Sequence, residues 1–440
     1  MRRRQNIHFQ GLRSQLRHSI PAALLLLAIS VSQIRATTVL AFIGDEASPN
    51  VASEGAASVA NMVANSSWQT DYVITLGDNN GGVATTGSPD WDQVLGVRYG
   101  QFMKARTGPG PNPYPNQTSA VQRFFPVVGD HDRDPAGPAG LVSGYIDYFH
   151  TDPGNPAGRL PAGVHNATQS YYAFTLPIEG GTGSVRIFAM DSEAFAYSQA
   201  SQAAQVAWLR DGLRSSTATW NFVTLHSPPF SSGPHNSNPL YQLPFQQWGA
   251  DAVLAGHDHL YERLRVTDAE QNQMLYFVNG LAGSGIYPFR QRATGSERRY
   301  NDTHGAIRVT VTDEEAMFEF LVLEPSEDGS NGGTLFDSIT LLQANLPTPP
   351  VLTADFNDDG FVDGDDLSIW KSAFAENDLA DADGDDDSDG DDFLIWQRQR
   401  SNFQPFHPTT IVPIPEPATG TCFAILVGAA PFCRWRRGGA

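Results

Sequence analysis

Five short apolar runs in this 440-residue chain each end on a side chain able to hold a metal ion. Asp45 follows Ile43-Gly44, Asp78 follows Leu76-Gly77, Asp130 follows Val128-Gly129, His226 follows Leu225, and His257 and His259 follow Ala255-Gly256. Carboxylate and imidazole are the donors left for a divalent cation when thiolate is absent, and the only cysteines are Cys422 and Cys433, near the chain end. A lone Gly-Asp is more often a turn than a ligand. Two imidazoles two residues apart in Gly256-His257-Asp258-His259 seldom serve packing, and five such run ends together point to one shared centre. Such a centre would hold its metal by oxygen and nitrogen donors alone.

The elements behind these ends can be read from their periodicity. Residues 39–43, 72–76, 124–128, 185–189, 222–225 and 252–255 are continuous apolar runs of buried-strand length, whereas 51–64, 91–104 and 202–213 are amphipathic at helical spacing. Residues 274–278 and 306–322 are strand-rich. Alternation of this kind predicts an α/β layered domain. Ligands at strand carboxyl ends then converge on one crevice, with glycines turning the chain just before them.

In this order, Gly44-Asp45, Gly77-Asp78-Asn79, Gly129-Asp130-His131-Asp132, His226 and Gly256-His257-Asp258-His259 resemble the calcineurin-like metallophosphoesterases. Tyr261-Glu262-Arg263 is similar to the purple, or tartrate-resistant, acid phosphatase branch, and the likeness covers about residues 38–322. The resemblance implies two mixed β-sheets packed as a sandwich flanked by helices. It also implies two divalent ions (Zn, Mn or Fe), with Asp45 and His259 on the first, Asp78 bridging, and Asp130, His226 and His257 on the second. The implied activity is an acid phosphatase-like phosphomonoesterase using a metal-bridging hydroxide on a small-molecule phosphate ester. His131 is expected to contact the phosphate and help protonate the leaving oxygen, with Asp132 orienting its ring. His235, nine residues after His226, is either a second active-site imidazole or a surface-loop residue. Asn79 anchors its loop or touches substrate, and Asp191 reads as a structural turn.

Three positions depart from the family pattern. Asp130 stands where Asn is usual, adding negative charge at the second metal. Gly81 stands where the purple branch has its coloured Tyr ligand, and Ala47 where other branches have His. A colourless enzyme with a looser first site is expected. Two other readings stay open: a phosphodiesterase or nucleotidase, and a non-catalytic surface assembly protein with a vestigial metal site.

The net charge of −20 is uneven, since residues 355–392 hold sixteen acidic side chains against one Lys. Residues 37–345 carry 31 acidic and 16 basic side chains, a poor balance for neutralising nucleic-acid phosphates. Asp355, Asn357, Asp359, Asp363 and Asp366 take positions 1, 3, 5, 9 and 12 of a calcium loop with Gly360 at position 6. Asp381, Asp383, Asp385, Asp389 and Asp392 repeat the oxygens 26 residues later, with Asp386 in the glycine's place and weaker calcium binding expected. An apolar run follows each loop. The pair, a small calcium-loop helical module over 346–404 beside the 37–345 body, resembles a dockerin, which implies a cohesin-like partner. Residues 1–36, five arginines leading into the apolar run 21–31, have the layout of a secretory signal peptide. Residues 405–440 read as a Pro-rich linker and anchor. There, Pro415-Glu416-Pro417, an apolar stretch and Arg434, Arg436 and Arg437 resemble a PEP-CTERM sorting signal. That implies processing by an exosortase-type enzyme, and export to the cell surface, outer envelope or extracellular matrix of a bacterium.

Overall fold

A computed structural model of the chain describes residues 37–46, 54–79, 90–107, 112–133, 143–150, 160, 170–267, 273–325, 327–347 and 351–400. The expected signal peptide and sorting signal, together with Ala47 and Gly81, lie outside them. Among the described residues no helix is long and apolar enough to cross a membrane.

Among the described residues thirteen strands form in chain order and divide between two sheets. β1 (Thr38–Ile43), β2 (Tyr72–Thr75) and β3 (Phe124–Phe125) open the first sheet. β4 (Tyr172–Pro177), β5 (Ser184–Ala189), β6 (Trp220–Leu225), β7 (Ala252–Ala255), β8 (Tyr261–Thr267), β9 (Gln273–Asn279) and β10 (Ser296–Tyr300) make the second. β11 (Gly305–Val311), β12 (Glu315–Val322) and β13 (Thr334–Leu342) return to complete the first. The orders are β13-β12-β11-β1-β2-β3 and β10-β8-β9-β7-β6-β5-β4. Both sheets are mixed. β1, β2 and β3 run parallel, as do β5, β6, β7 and β9, and the remaining pairings are antiparallel.

The expected layered fold is the one observed. β1 and β6 are buried along their whole length, as continuous apolar strands covered on both faces must be. Between the sheets the core is aromatic: Phe277 and Phe222 of the second sheet pack on Phe318 of β12, and Tyr261 stacks on Phe320 at 3.8 Å. The main helices of the body are α1 (Glu54–Ala64), α2 (Ser192–Tyr197), α3 (Gln199–Arg214) and α4 (Phe245–Trp248). A second apolar cluster joins the second sheet to the last two of these, α3 contributing Leu209 and Leu213 and α4 contributing Phe245 and Trp248.

Two elements differ from the sequence reading. β3 stops at Phe125 because Pro126 has no N–H to give the ladder. Beyond it the chain is held by side chains: Val127 N donates to Thr75 Oγ1 (2.8 Å), Asn79 Nδ2 donates to Val127 O (2.7 Å), and Tyr172 Oη donates to Pro126 O (2.8 Å). The helix expected over 91–104 is broken into a wide turn at Asp92–Gly96, one α-helical turn at Val97–Tyr99 and a tight turn at Gly100–Phe102. Gly96 and Gly100 bring no helix propensity there, and Gly100 lies where a Cβ would strike Asn116 O.

The acidic repeats form two loops, each ending in a helix, α5 (Gly364–Ala373) and α6 (Gly390–Gln399). In each, the position-9 aspartate, Asp363 or Asp389, caps the helix start, and Asp366 or Asp392 completes a reciprocal capping box. The copies interlock reciprocally: Trp370 Nε1 donates to Asp389 O and Trp396 Nε1 donates to Asp363 O, both at 2.8 Å.

Candidate metal centre

All six ligands expected from the sequence meet above the carboxyl ends of β1, β2, β3, β6 and β7. His226 Nε2 lies 2.8 Å from Asp130 Oδ1 and 3.4 Å from Asp78 Oδ1. His257 Nδ1 lies 3.1 Å from His226 Nε2 and 3.4 Å from Asp130 Oδ1. His259 Nε2 lies 3.3 Å from Asp45 Oδ1. Donor atoms of Asp130, His226 and His257 fall within 4.8 Å of one another, and so do those of Asp45, Asp78 and His226, and of Asp78, Asp130 and His131.

Backbone geometry shows what this convergence costs. Asp45, Asp78 and His257 have φ of 58°, 54° and 67°, in the left-handed region where side chains other than glycine are uncommon. Strain of this kind persists where the surroundings over-determine it, and it clusters at functional sites. Gly129 shows how tight those surroundings are, since a Cβ there would sit 2.0 Å from Asp78 Oδ1 and 2.2 Å from Asp78 N. Gly77 has φ +94°, and a Cβ on it would lie 2.2 Å from the His226 ring.

The imidazoles are aimed from behind. His226 Nδ1 donates to Leu76 O (2.8 Å) and His259 Nδ1 donates to Gly285 O (2.6 Å), which leaves both Nε2 atoms turned into the centre. Asp45 Oδ2 accepts from His257 N (2.8 Å), while its Oδ1, fully buried, has no hydrogen-bond partner. A buried carboxylate oxygen left without a donor is a position for a cation. The charges agree. Burial, then the neighbouring Asp130, push the Asp78 carboxyl well above its usual range. Burial also opposes ionisation of Asp130, yet hydrogen bonds from His226 and His257 hold it well below. Burial pulls His226 down, but Asp78 and Asp130 raise it well above an ordinary imidazole. The oxygen and nitrogen donor set fits two divalent cations.

The other residues singled out from the sequence divide by position. His131 stands on the rim, its side chain 45% exposed, with Nε2 4.0 Å from Asp78 Oδ2 and 3.9 Å from Asp130 Oδ2. His235 lies beside the centre, its ring centroid 4.0 Å from that of His257. Asn79 is 1% exposed, and its amide donates to Val127 O and to Asp132 Oδ2, which anchors the loop. Asp132 accepts from Gly129 N, Asn79 N and Asn79 Nδ2, and burial pushes its carboxyl up to about 6. These contacts tie the second and third motif loops together. Asp191 is a structural turn residue: it caps α2 through Ala194 N and pairs with Arg133.

Sequence reasoning missed the shell beneath. Asp258 accepts from Ser231 Oγ (2.5 Å) and His235 N (3.1 Å), and Glu262 accepts from Ser232 N (2.7 Å) and Ser232 Oγ (2.6 Å). Both carboxylates thus hold the loop that carries His235. Tyr261 and Arg263 instead donate to Asp337 of β13 and bind one sheet to the other. The segment after β9 encloses the first-metal side: Ser284 N donates to Asp45 O, Tyr287 N donates to His259 O, and the Tyr287 ring stacks on His259 at 4.0 Å. Its sequence, a strand running into Asn279-Gly280, repeats the pattern of the motif loops, and that was the available signal.

Residues 41–261 match the family model described as calcineurin-like phosphoesterase. No curated protein matches the chain. Among solved structures it is similar to GAP50, described as the anchor in the inner membrane complex of Plasmodium, at 15% identity and a TM-score of 0.50, covering 72% of this chain and 96% of that one. It is also similar to the purple acid phosphatase PPD1 from yellow lupin (Lupinus luteus) seeds, at 18% identity and a TM-score of 0.48, covering 70% of this chain. The chain spans only 54% of the lupin enzyme's length.

Proposed function

Because the chain belongs to the calcineurin-like phosphoesterase family, whose members are metal-dependent phosphoesterases, we propose that it is a phosphomonoesterase acting on small phosphate esters. The observation that carries this reading is the meeting of Asp45, Asp78, Asp130, His226, His257 and His259 beneath an accessible His131. Two divalent cations, when bound, would activate water and neutralise the phosphoryl oxygens. The chain's residues do the rest. His131 contacts the phosphate and gives its proton to the leaving oxygen. His235, held by Asp258 and the Glu262-bound loop, flanks the opposite, His257 side. Tyr287 backs His259, so the three-residue first set of Asp45, Asp78 and His259 stays in place without a Tyr at 81 or a His at 47.

The test is hydrolysis of p-nitrophenyl phosphate beside its bis-ester with Zn, Mn or Fe(II). The monoester should turn over at least roughly tenfold faster, a difference of about 1.4 kcal/mol in barrier. The reverse ratio makes the protein a diesterase or nucleotidase. No hydrolysis with any metal makes it a surface assembly protein, a use the fold also permits. Supporting catalysis are the accessible His131 and the second set of Asp130, His226 and His257, whereas Gly81 and Ala47 at the first set favour the assembly reading. The loaded protein should show no visible absorption band, since no Tyr stands at position 81.

Further readings rest on sequence pattern. The Asp355–Asp366 and Asp381–Asp392 loops are proposed calcium sites with a cohesin-like partner. Export to a bacterial surface, with an exosortase-type enzyme removing the tail, is proposed from the two chain ends.

A further inference from the structure

The two copies of the acidic repeat differ where one of them touches the body. In the first, Phe361 is 7% exposed and belongs to the apolar cluster of Leu209, Leu213, Trp248 and Val253. Its ring meets Trp248 edge-on at 5.5 Å, and Trp248 Nε1 donates to Gly360 O (3.1 Å). Gly360 has φ +79° and is pressed so close that a Cβ would lie 2.0 Å from Arg210 Cδ. Arg214 reaches Asp355 (3.5 Å) and Asp358 (3.7 Å). Twenty-six residues on, Asp386 and Asp387 replace Gly360 and Phe361, and both are exposed. Gly384, the counterpart of Asp358, has nothing within 4 Å of its Cβ position. An apolar side chain in the middle of an acidic loop is unfavourable in water and is accounted for by the surface it meets.

We infer that the first repeat is a docking element for the phosphoesterase body, seated on α3 and α4 through Gly360 and Phe361, and that the second repeat alone is left facing outward. The occupant of the Trp248 surface is thus a segment of this same chain. Because the Trp370 and Trp396 indoles cross-link the copies, seating one fixes both. The body and the module form one cooperative unit, in contrast to a catalytic domain with a free tether. This inference is independent of the metal centre and goes beyond the proposed activity.

Hydrogen exchange on the full chain in calcium buffer tests it. Phe361→Asp copies the second repeat and should raise exchange in 245–251 and 206–214 roughly tenfold or more, the loss that follows from no longer burying a phenyl ring. Residues 390–399 should keep their protection, which shows that the module itself still folds. Trp248→Phe, which keeps a ring and removes only the donor to Gly360 O, should give a smaller change in the same peptides. Asp387→Phe should change nothing in the body. The inference is overturned if Phe361→Asp leaves 245–251 and 206–214 exchanging as in the wild type, or if Asp387→Phe alters them equally.

Discussion

At the scale of the residue, the centre gathers imidazole nitrogens and carboxylate oxygens at contact distance. His226 Nε2, His257 Nδ1 and Asp130 Oδ1 lie within 3.4 Å of each other, and Asp45 Oδ1 is buried without a hydrogen bond. The convergence of these donors was legible in the sequence because each occupies the same place, within a few residues of the end of an apolar run. The residues that aim them were not. Asp258, Glu262 and Tyr287 act across 23 to 30 positions of sequence, and a single chain shows no signal for such contacts. His131 stands exposed on the rim, so His131→Ala should lower kcat roughly 100-fold with metal content unchanged, as metal analysis of the purified variant would show. Asp130→Asn should move the pH optimum of hydrolysis downward, since a neutral ligand leaves more cation charge to act on water. An unmoved profile would remove that role for the extra carboxylate.

At the scale of the element, strand ends with glycine turns position the chemistry. The strands were readable from their apolar runs, but their lengths were not: Pro126 ends β3 early, and Thr75, Asn79 and Tyr172 side chains replace the missing ladder. The 91–104 segment had helical spacing, yet Gly96 and Gly100 break it. The third motif turn allows no added carbon, because Gly129 faces Asp78 backbone as well as its carboxylate. Gly129→Ala should cost about 1–3 kcal/mol of stability by overpacking and should also lower metal retention, measured by denaturant unfolding and by metal analysis. Retained metal with lowered stability would mean that the turn serves the fold alone.

At the scale of the whole molecule, the alternation of runs predicted an α/β layered domain and the family resemblance implied the two-sheet sandwich. The order of strands, with β11 to β13 returning to the first sheet, followed from neither, because pairing partners lie as far apart in sequence as Thr38 and Val311. The sheet end opposite the centre bears on pH stability. Asp251, accepting from Asn221 N, has its carboxyl pushed by burial from 3.8 to about 7. The folded chain therefore holds a proton there that the unfolded chain has lost, so stability should fall as pH rises from about 4 to about 7. Asp251→Asn should be the more stable protein at pH above that window and match the wild type below it, by thermal unfolding across pH. The claim on which the account rests is that six donors from both sheets hold a pair of cations that hydrolyse a phosphomonoester. Stepwise return of Mn or Zn to chelated protein, followed by p-nitrophenyl phosphate hydrolysis, tests it most directly. Activity should be absent at first and rise until two equivalents are bound outside the acidic repeats, whereas full activity in the metal-free protein, or two bound equivalents with none, would contradict it.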